Sequence, residues 1–154
     1  MSASTASARL AELGIELPGV AAPVASYIPA IRTGSHVYTS GQLPFVDGAL
    51  PATGKVGGEV GPEEAKQYAR TAMLNALAAV HDLVGIDAVT RVVKATGFVA
   101  SAEGFNAQPA VINGASELLG EVFGEAGAHA RSAVGVAELP LGAPVEVELI
   151  VEVS

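Results

Sequence analysis

The sequence predicts an α+β fold in which one sheet carries two helices on a single face. Three observations predict it. Strand and helix patterns follow one another in the order β-β-(β)-α-β-α-β-β. Each of the two long helical patterns has one apolar stripe. The last segment, Val145 to Val153, alternates strictly between valine or leucine and mostly acidic residues. At 154 residues the chain is long enough for one domain with a real core and no disulfides.

Taken in order, residues 1–25 read as a leader added to a single domain spanning 26–154. Met1 to Ala6 is small and polar. Ser7 to Gly14 is predicted as a short helix, with Ser7 as N-cap and Gly14 as a left-handed stop. Leu10, Leu13, Ile15 and Leu17 would dock it, and the Pro/Ala/Gly-rich residues 18–25 form a connector. Tyr27 to Arg32 and His36 to Ser40 are expected as a hairpin around Thr33-Gly34-Ser35. The glycine-rich stretch 47–61 reads as a loop, with room for a short strand between Lys55 and Val60.

Pro62 suits the first position of a helix, and Glu63 and Glu64 suit the positive end of its dipole. Apolar residues at 65, 68, 69, 72, 73, 76, 77, 80, 83 and 84 carry the helix to Gly85. Val89 to Ala100, rich in β-branched residues, is predicted as a strand. A second helix runs from Pro109 to Phe123 on the stripe Val111, Ile112, Ala115, Leu118, Leu119, Val122 and Phe123. Arg131 to Ala137 and Val145 to Val153 close the domain as strands. In the last, the odd-numbered residues face the core, and Glu146, Glu148 and Glu152 share the other face.

Composition excludes several functions. Without cysteine there is no disulfide framework, no thiol nucleophile and no thiolate-bound metal. A net charge of -8, with only 8 Lys and Arg, disfavours nucleic-acid binding. Mean hydropathy is +0.44, yet the longest charge-free run, Leu17 to Ile31, is broken by Pro18, Pro23 and Pro29, so a membrane span is not expected. The apolar excess points instead to a buried interface in a homo-oligomer. The start MSASTASARL carries no apolar secretory core, which makes a cytoplasmic location the expectation. The Gly48–Lys55 stretch has the wrong spacing for a phosphate loop, and no G-x-S-x-G elbow occurs. His36, His81 and His129 lack metal-site spacing, and His81 reads as a surface or boundary residue.

Four positions are candidates for chemistry. Arg131 opens a strand among small residues with no acid on either immediate flank. Its planar fork would fit a carboxylate, or it could pair with a strand glutamate across an interface. Glu146 stands on the non-core face, as a site residue or as part of a solvated acidic face. Asn113 and Glu117, four apart on the second helix, would ordinarily make a helix-surface hydrogen bond.

The stretch Ala130-Arg131-Ser132-Ala133-Val134-Gly135-Val136-Ala137-Glu138-Leu139-Pro140, with Val145-Glu146-Val147-Glu148 behind it, resembles the signature of the RidA family. That family is also called YjgF or, in older usage, L-PSP endoribonuclease. Tyr27 to Gln42, with Gly34 and Thr39-Ser40-Gly41-Gln42, is similar to the family's opening hairpin, so the resemblance covers residues 26–153. It implies a chorismate-mutase-like fold and a homotrimer with sites between subunits. It implies hydrolysis of reactive 2-imino or enamine acids to 2-keto acids and ammonia.

In the resemblance, Arg131 binds the carboxylate, Glu146 handles water, and Tyr27, Ser40 and Asn113 line the substrate site. The scheme needs no metal or organic cofactor. Two other readings come with the family: a non-catalytic trimer that binds a small carboxylate, and a ribonuclease, which the acidic charge opposes. The chain departs from the family pattern at Ala133, where many members have cysteine. His129 stands in place of a common proline, and one extra residue separates Asn113 from Arg131. The leader resembles that of a longer-chain subgroup.

Overall fold

The computed structural model describes residues 4–20 and 26–154. It is an α+β structure built on one five-stranded sheet. In chain order the elements are α1 (Ala6–Glu12), β1 (Ala30–Thr33), β2 (His36–Thr39), α2 (Pro62–Val84), β3 (Val89–Ala100), α3 (Gln108–Phe123), β4 (Ala130–Val136) and β5 (Val145–Val153). Across the sheet the order is β1-β2-β5-β3-β4, antiparallel except for the β3–β4 pair. Parallel neighbours need a crossover, and α3 supplies it. This is the predicted architecture, except that the stretch 55–60 forms isolated bridges from Val56 to Val60 and Ser101 rather than a strand. Five glycines between 48 and 61, three of them at positive φ, keep that stretch a loop.

The first strand starts at Ala30, later than the expected Tyr27, because Tyr27 and Pro29 sit in bends. Gly34, at φ 57, forms the tight turn that the hairpin requires. The leader helix is capped by Thr5, whose side chain accepts from the Ala8 N–H, and not by Ser7. Ser7 is drawn instead to Asp87, which takes its N–H at 2.8 Å and its hydroxyl at 2.5 Å. Gly14, at φ 68, ends the turn, and Leu10 is buried in the core cluster. The connector 18–25 lies partly outside the described residues, as does the start of the polar tail.

The helices α2 and α3 lie side by side on one face of the sheet. Val37, Val92, Ala95, Val99, Val145, Val147, Leu149 and Val151 face them from the strands. The α2 stripe is buried through Val80 apart from half-buried Tyr68, but Leu83 is 45% exposed. His81, on the surface, accepts the Ile86 N–H on Nδ1 at 3.0 Å and so caps the chain reversal into β3.

Two glycines bring α3 close. At Gly97 on β3 a Cβ would meet the Ile112 side chain, and at Gly114 on α3 it would fall on the Lys66 carbonyl of α2. Among the described residues no helix is long and apolar enough to cross a membrane.

Gly114→Ala is therefore expected to force α2 and α3 apart, at a cost of about 1–3 kcal/mol. Urea denaturation at fixed protein concentration checks this. An unchanged midpoint would mean that the helices are not in contact at Gly114.

Candidate functional site

The sheet registers decide where each candidate side chain goes. Residues paired across neighbouring strands share a face. Arg131 pairs with Ala95, and Ala95 pairs with Leu149, which is buried under the helices. Arg131 is thus on the helix-bearing face of edge strand β4. Glu146 pairs with Phe98, and Phe98 pairs with Val134, one alternation out of step with Arg131. Glu146 is on the open face. Within one chain the two residues are divided by the sheet.

Arg131 is half-buried against α3. Its Nη1 donates to Asn113 Oδ1 at 2.7 Å and to Ser116 Oγ at 3.2 Å, and Nη2 reaches the Pro109 carbonyl at 3.4 Å. Pro109, Asn113 and Ser116 recur at helical spacing along one edge of α3, away from α2. Ser116 also meets His129 Nε2 at 2.9 Å, and His129 Nδ1 lies 2.6 Å from the Gly127 carbonyl. Among the described residues, no carboxylate makes an ion pair with Arg131. Within the chain Glu146 and Glu148 do not pair with Arg131, because those glutamates project from the other face.

The open face holds a second group. Ser40 follows β2; its hydroxyl donates to the Ile28 carbonyl at 2.6 Å, and its N–H to the Pro29 carbonyl at 2.8 Å. These bonds tie the segment that carries Tyr27, itself 55% exposed, to the end of β2. Gln42 and Val147 exchange backbone hydrogen bonds at 2.7 and 3.0 Å, which sets Gly41 beside Glu146. A Cβ on Gly41 would strike the Glu146 carboxylate, so only glycine leaves that carboxylate in place. Asn75 of α2 fixes the following loop by donating to the Leu43 and Phe45 carbonyls at 2.9 and 3.1 Å.

Glu146 is half-buried. Burial, and then the nearby charge of Glu148 on the same face, raise its pKa above the ordinary carboxylate range.

The candidate residues therefore form two clusters. Arg131 and Asn113 sit at the β4–α3 edge, while Ser40 and Glu146 sit on the open face near the segment that carries Tyr27. Ser116 and Asn75, which the sequence does not single out, join them, as does Gly41 of the Thr39-Ser40-Gly41-Gln42 motif. The sequence marks His129 as a departure from the family pattern and as a histidine without metal-site spacing, not as a partner of Arg131. The polar stripe at 109, 113 and 116 was the available signal for Ser116.

The chain matches the family model described as "YjgF/chorismate mutase-like, putative endoribonuclease" over residues 7–153. It is 44% identical over 149 residues to Protein TCP17 of Trypanosoma cruzi, covering 96% of this chain and 93% of the relative. Among solved structures it is similar to the protein Atu1372 of unknown function from Agrobacterium tumefaciens. Identity there is 42% and the TM-score 0.87, over 97% of this chain and 92% of that one. It is also similar to E. coli TdcF with bound serine, at 27% identity and a TM-score of 0.61, over 89% of this chain and 93% of that one.

Because its native pKa is raised, Glu146 favours folding when protonated, and that contribution fades as pH rises through the raised value. Glu146→Gln should therefore melt higher than the parent near neutral pH. The gap should close in acid, where the carboxyl is protonated in both the folded and the unfolded chain. Thermal melts across pH 3–8 check this, and a gap independent of pH would contradict it.

Proposed function

Because the chain belongs to the RidA/YjgF family, we propose that it hydrolyses reactive 2-imino or enamine acids to 2-keto acids and ammonia. The site would lie between copies of the chain in a homotrimer. The observation that carries the proposal is the pair of clusters: an arginine that makes no ion pair among the described residues on one side of the sheet, and a half-buried glutamate of raised pKa on the other. A second copy is needed to bring the two together. The open face also exposes Ile31 (55%), Tyr38 (42%) and Val134 (44%), an apolar area suited to cover by another subunit.

The chemistry asks little of the protein beyond placement. The substrate already has an electrophilic C=N carbon, and an enamine reaches the same state by taking a proton on carbon. Arg131 of one copy holds the substrate carboxylate and turns encounter into orientation. Glu146 of the neighbour takes a proton from water as the water oxygen bonds to the imine carbon. It returns that proton to nitrogen, which gives a carbinolamine; it then takes the hydroxyl proton and passes it to nitrogen as the C=O bond forms, the C–N bond breaks and ammonia leaves the keto acid. A carboxylate with a raised pKa is better matched to both transfers than an ordinary one.

The serine bound to TdcF is a small α-amino carboxylate, the class of ligand that an arginine anchor would take. An endoribonuclease role is opposed by the -8 charge and by Glu146, Glu148 and Glu152 on the open face.

A coupled assay with freshly generated iminoacids tests the proposal. Arg131→Ala should lower kcat/KM by about 30-fold or more, and Arg131→Lys should not restore it, because lysine keeps the charge but loses the fork. Glu146→Gln should act mainly on kcat, by about a hundredfold or more. Wild-type protein that binds a keto acid without accelerating imine hydrolysis would favour the non-catalytic carboxylate-binding alternative. Light scattering should give the mass of a trimer, and a monomer at micromolar concentration would remove the intersubunit site.

A further inference from the structure

The β4–α3 edge contains a directional chain of hydrogen bonds that the family resemblance does not include. The Gly127 carbonyl can only accept, so His129 Nδ1, 2.6 Å away, carries the proton. In the neutral ring Nε2 is then bare, and it accepts the Ser116 hydroxyl at 2.9 Å. With its proton directed at His129, Ser116 Oγ turns a lone pair to Arg131 Nη1 at 3.2 Å. Asn113 Oδ1 takes the other Nη1 proton at 2.7 Å. Both Nη1 protons are thereby used. Nη2 has one long contact, 3.4 Å to the Pro109 carbonyl, and Nε has no acceptor among the described residues. The edge formed by Nε and Nη2 is the one left open, with two parallel N–H groups at the spacing of a carboxylate.

We infer that Ser116 and His129 are positioning residues that lock the Arg131 guanidinium so that a ligand carboxylate is taken side-on, by Nε and Nη2. Nη1 is the anchor and never the ligand donor. The inference rests on Arg131 being the carboxylate anchor.

Calorimetric titration with pyruvate, beside thermal melts of the full chain, tests both statements. Ser116→Ala and His129→Asn should weaken pyruvate about fivefold to tenfold with little change in melting. Asparagine keeps a donor near Nδ1 but stops short of Ser116. Glutamine places an acceptor where Nε2 stands, so His129→Gln should recover most of the affinity. If Arg131→Ala loses binding while Ser116→Ala and His129→Asn bind as the parent does, the positioning role is wrong and the anchor stands. Failure of glutamine to rescue would also overturn the relay.

If the wild type does not bind pyruvate, or Arg131→Ala binds it equally well, the anchor reading falls and the side-on mode with it. Should the variants fail to fold, nitrogen-15 spectra of the wild-type histidine decide. A proton on Nδ1 and a bare Nε2 are expected for the neutral ring, and the opposite tautomer contradicts the relay.

Discussion

Side chains one residue apart on a β-strand leave opposite faces of the sheet, and this constraint governs the molecule's chemistry. The registers of β4 on β3 and of β3 on β5 set Arg131 and Glu146 out of step, one under α3 and one on the open face. No side-chain rotation reverses that. A reaction that needs both a carboxylate anchor and a proton carrier must find them on two copies, the edge of one facing the open face of the next. In the trimer proposed above, oligomerisation would assemble the site as well as cover Ile31, Tyr38 and Val134, which are exposed in the single chain.

The packing under α3 serves the same end. Gly97 lets Ile112 rest directly on β3, and Gly114 lets α3 touch the backbone of α2 at Lys66. The helix is held from below and from the side, so the stripe Pro109, Asn113 and Ser116 comes within hydrogen-bonding reach of Arg131. On the other face, Gly41 leaves space for the Glu146 carboxylate, and Asn75 pins the loop beyond it through two carbonyls. At both clusters an absent side chain is as necessary to the geometry as the polar one that is present.

Much of this was legible in the sequence. The strict alternation of β5 fixes Glu146 on the open face, and the two stripes fix α2 and α3 on the other. The face of Arg131 was not legible. Its strand reads Ala-Arg-Ser-Ala-Val-Gly-Val, and small residues on both sides of an edge strand leave no hydrophobic alternation to read. Ser116 was hidden for another reason: a serine in mid-helix is usually a neutral surface residue, and only the distant His129 and Arg131 give it a role. Ser7 is the better cap by type, yet the tertiary partner Asp87 claims it and leaves the cap to Thr5.

The division of the site between copies is tested most directly by mixing two inactive variants. Arg131→Ala and Glu146→Gln chains are unfolded together, refolded as mixed assemblies and assayed for imine hydrolysis. If the arginine of one copy works with the glutamate of the next, some interfaces in the mixture unite an intact Arg131 with an intact Glu146. Activity should then return to about a quarter of the wild-type level for random assortment. Mixed assemblies as inactive as either parent would show that both residues act from the same chain, and would contradict the account.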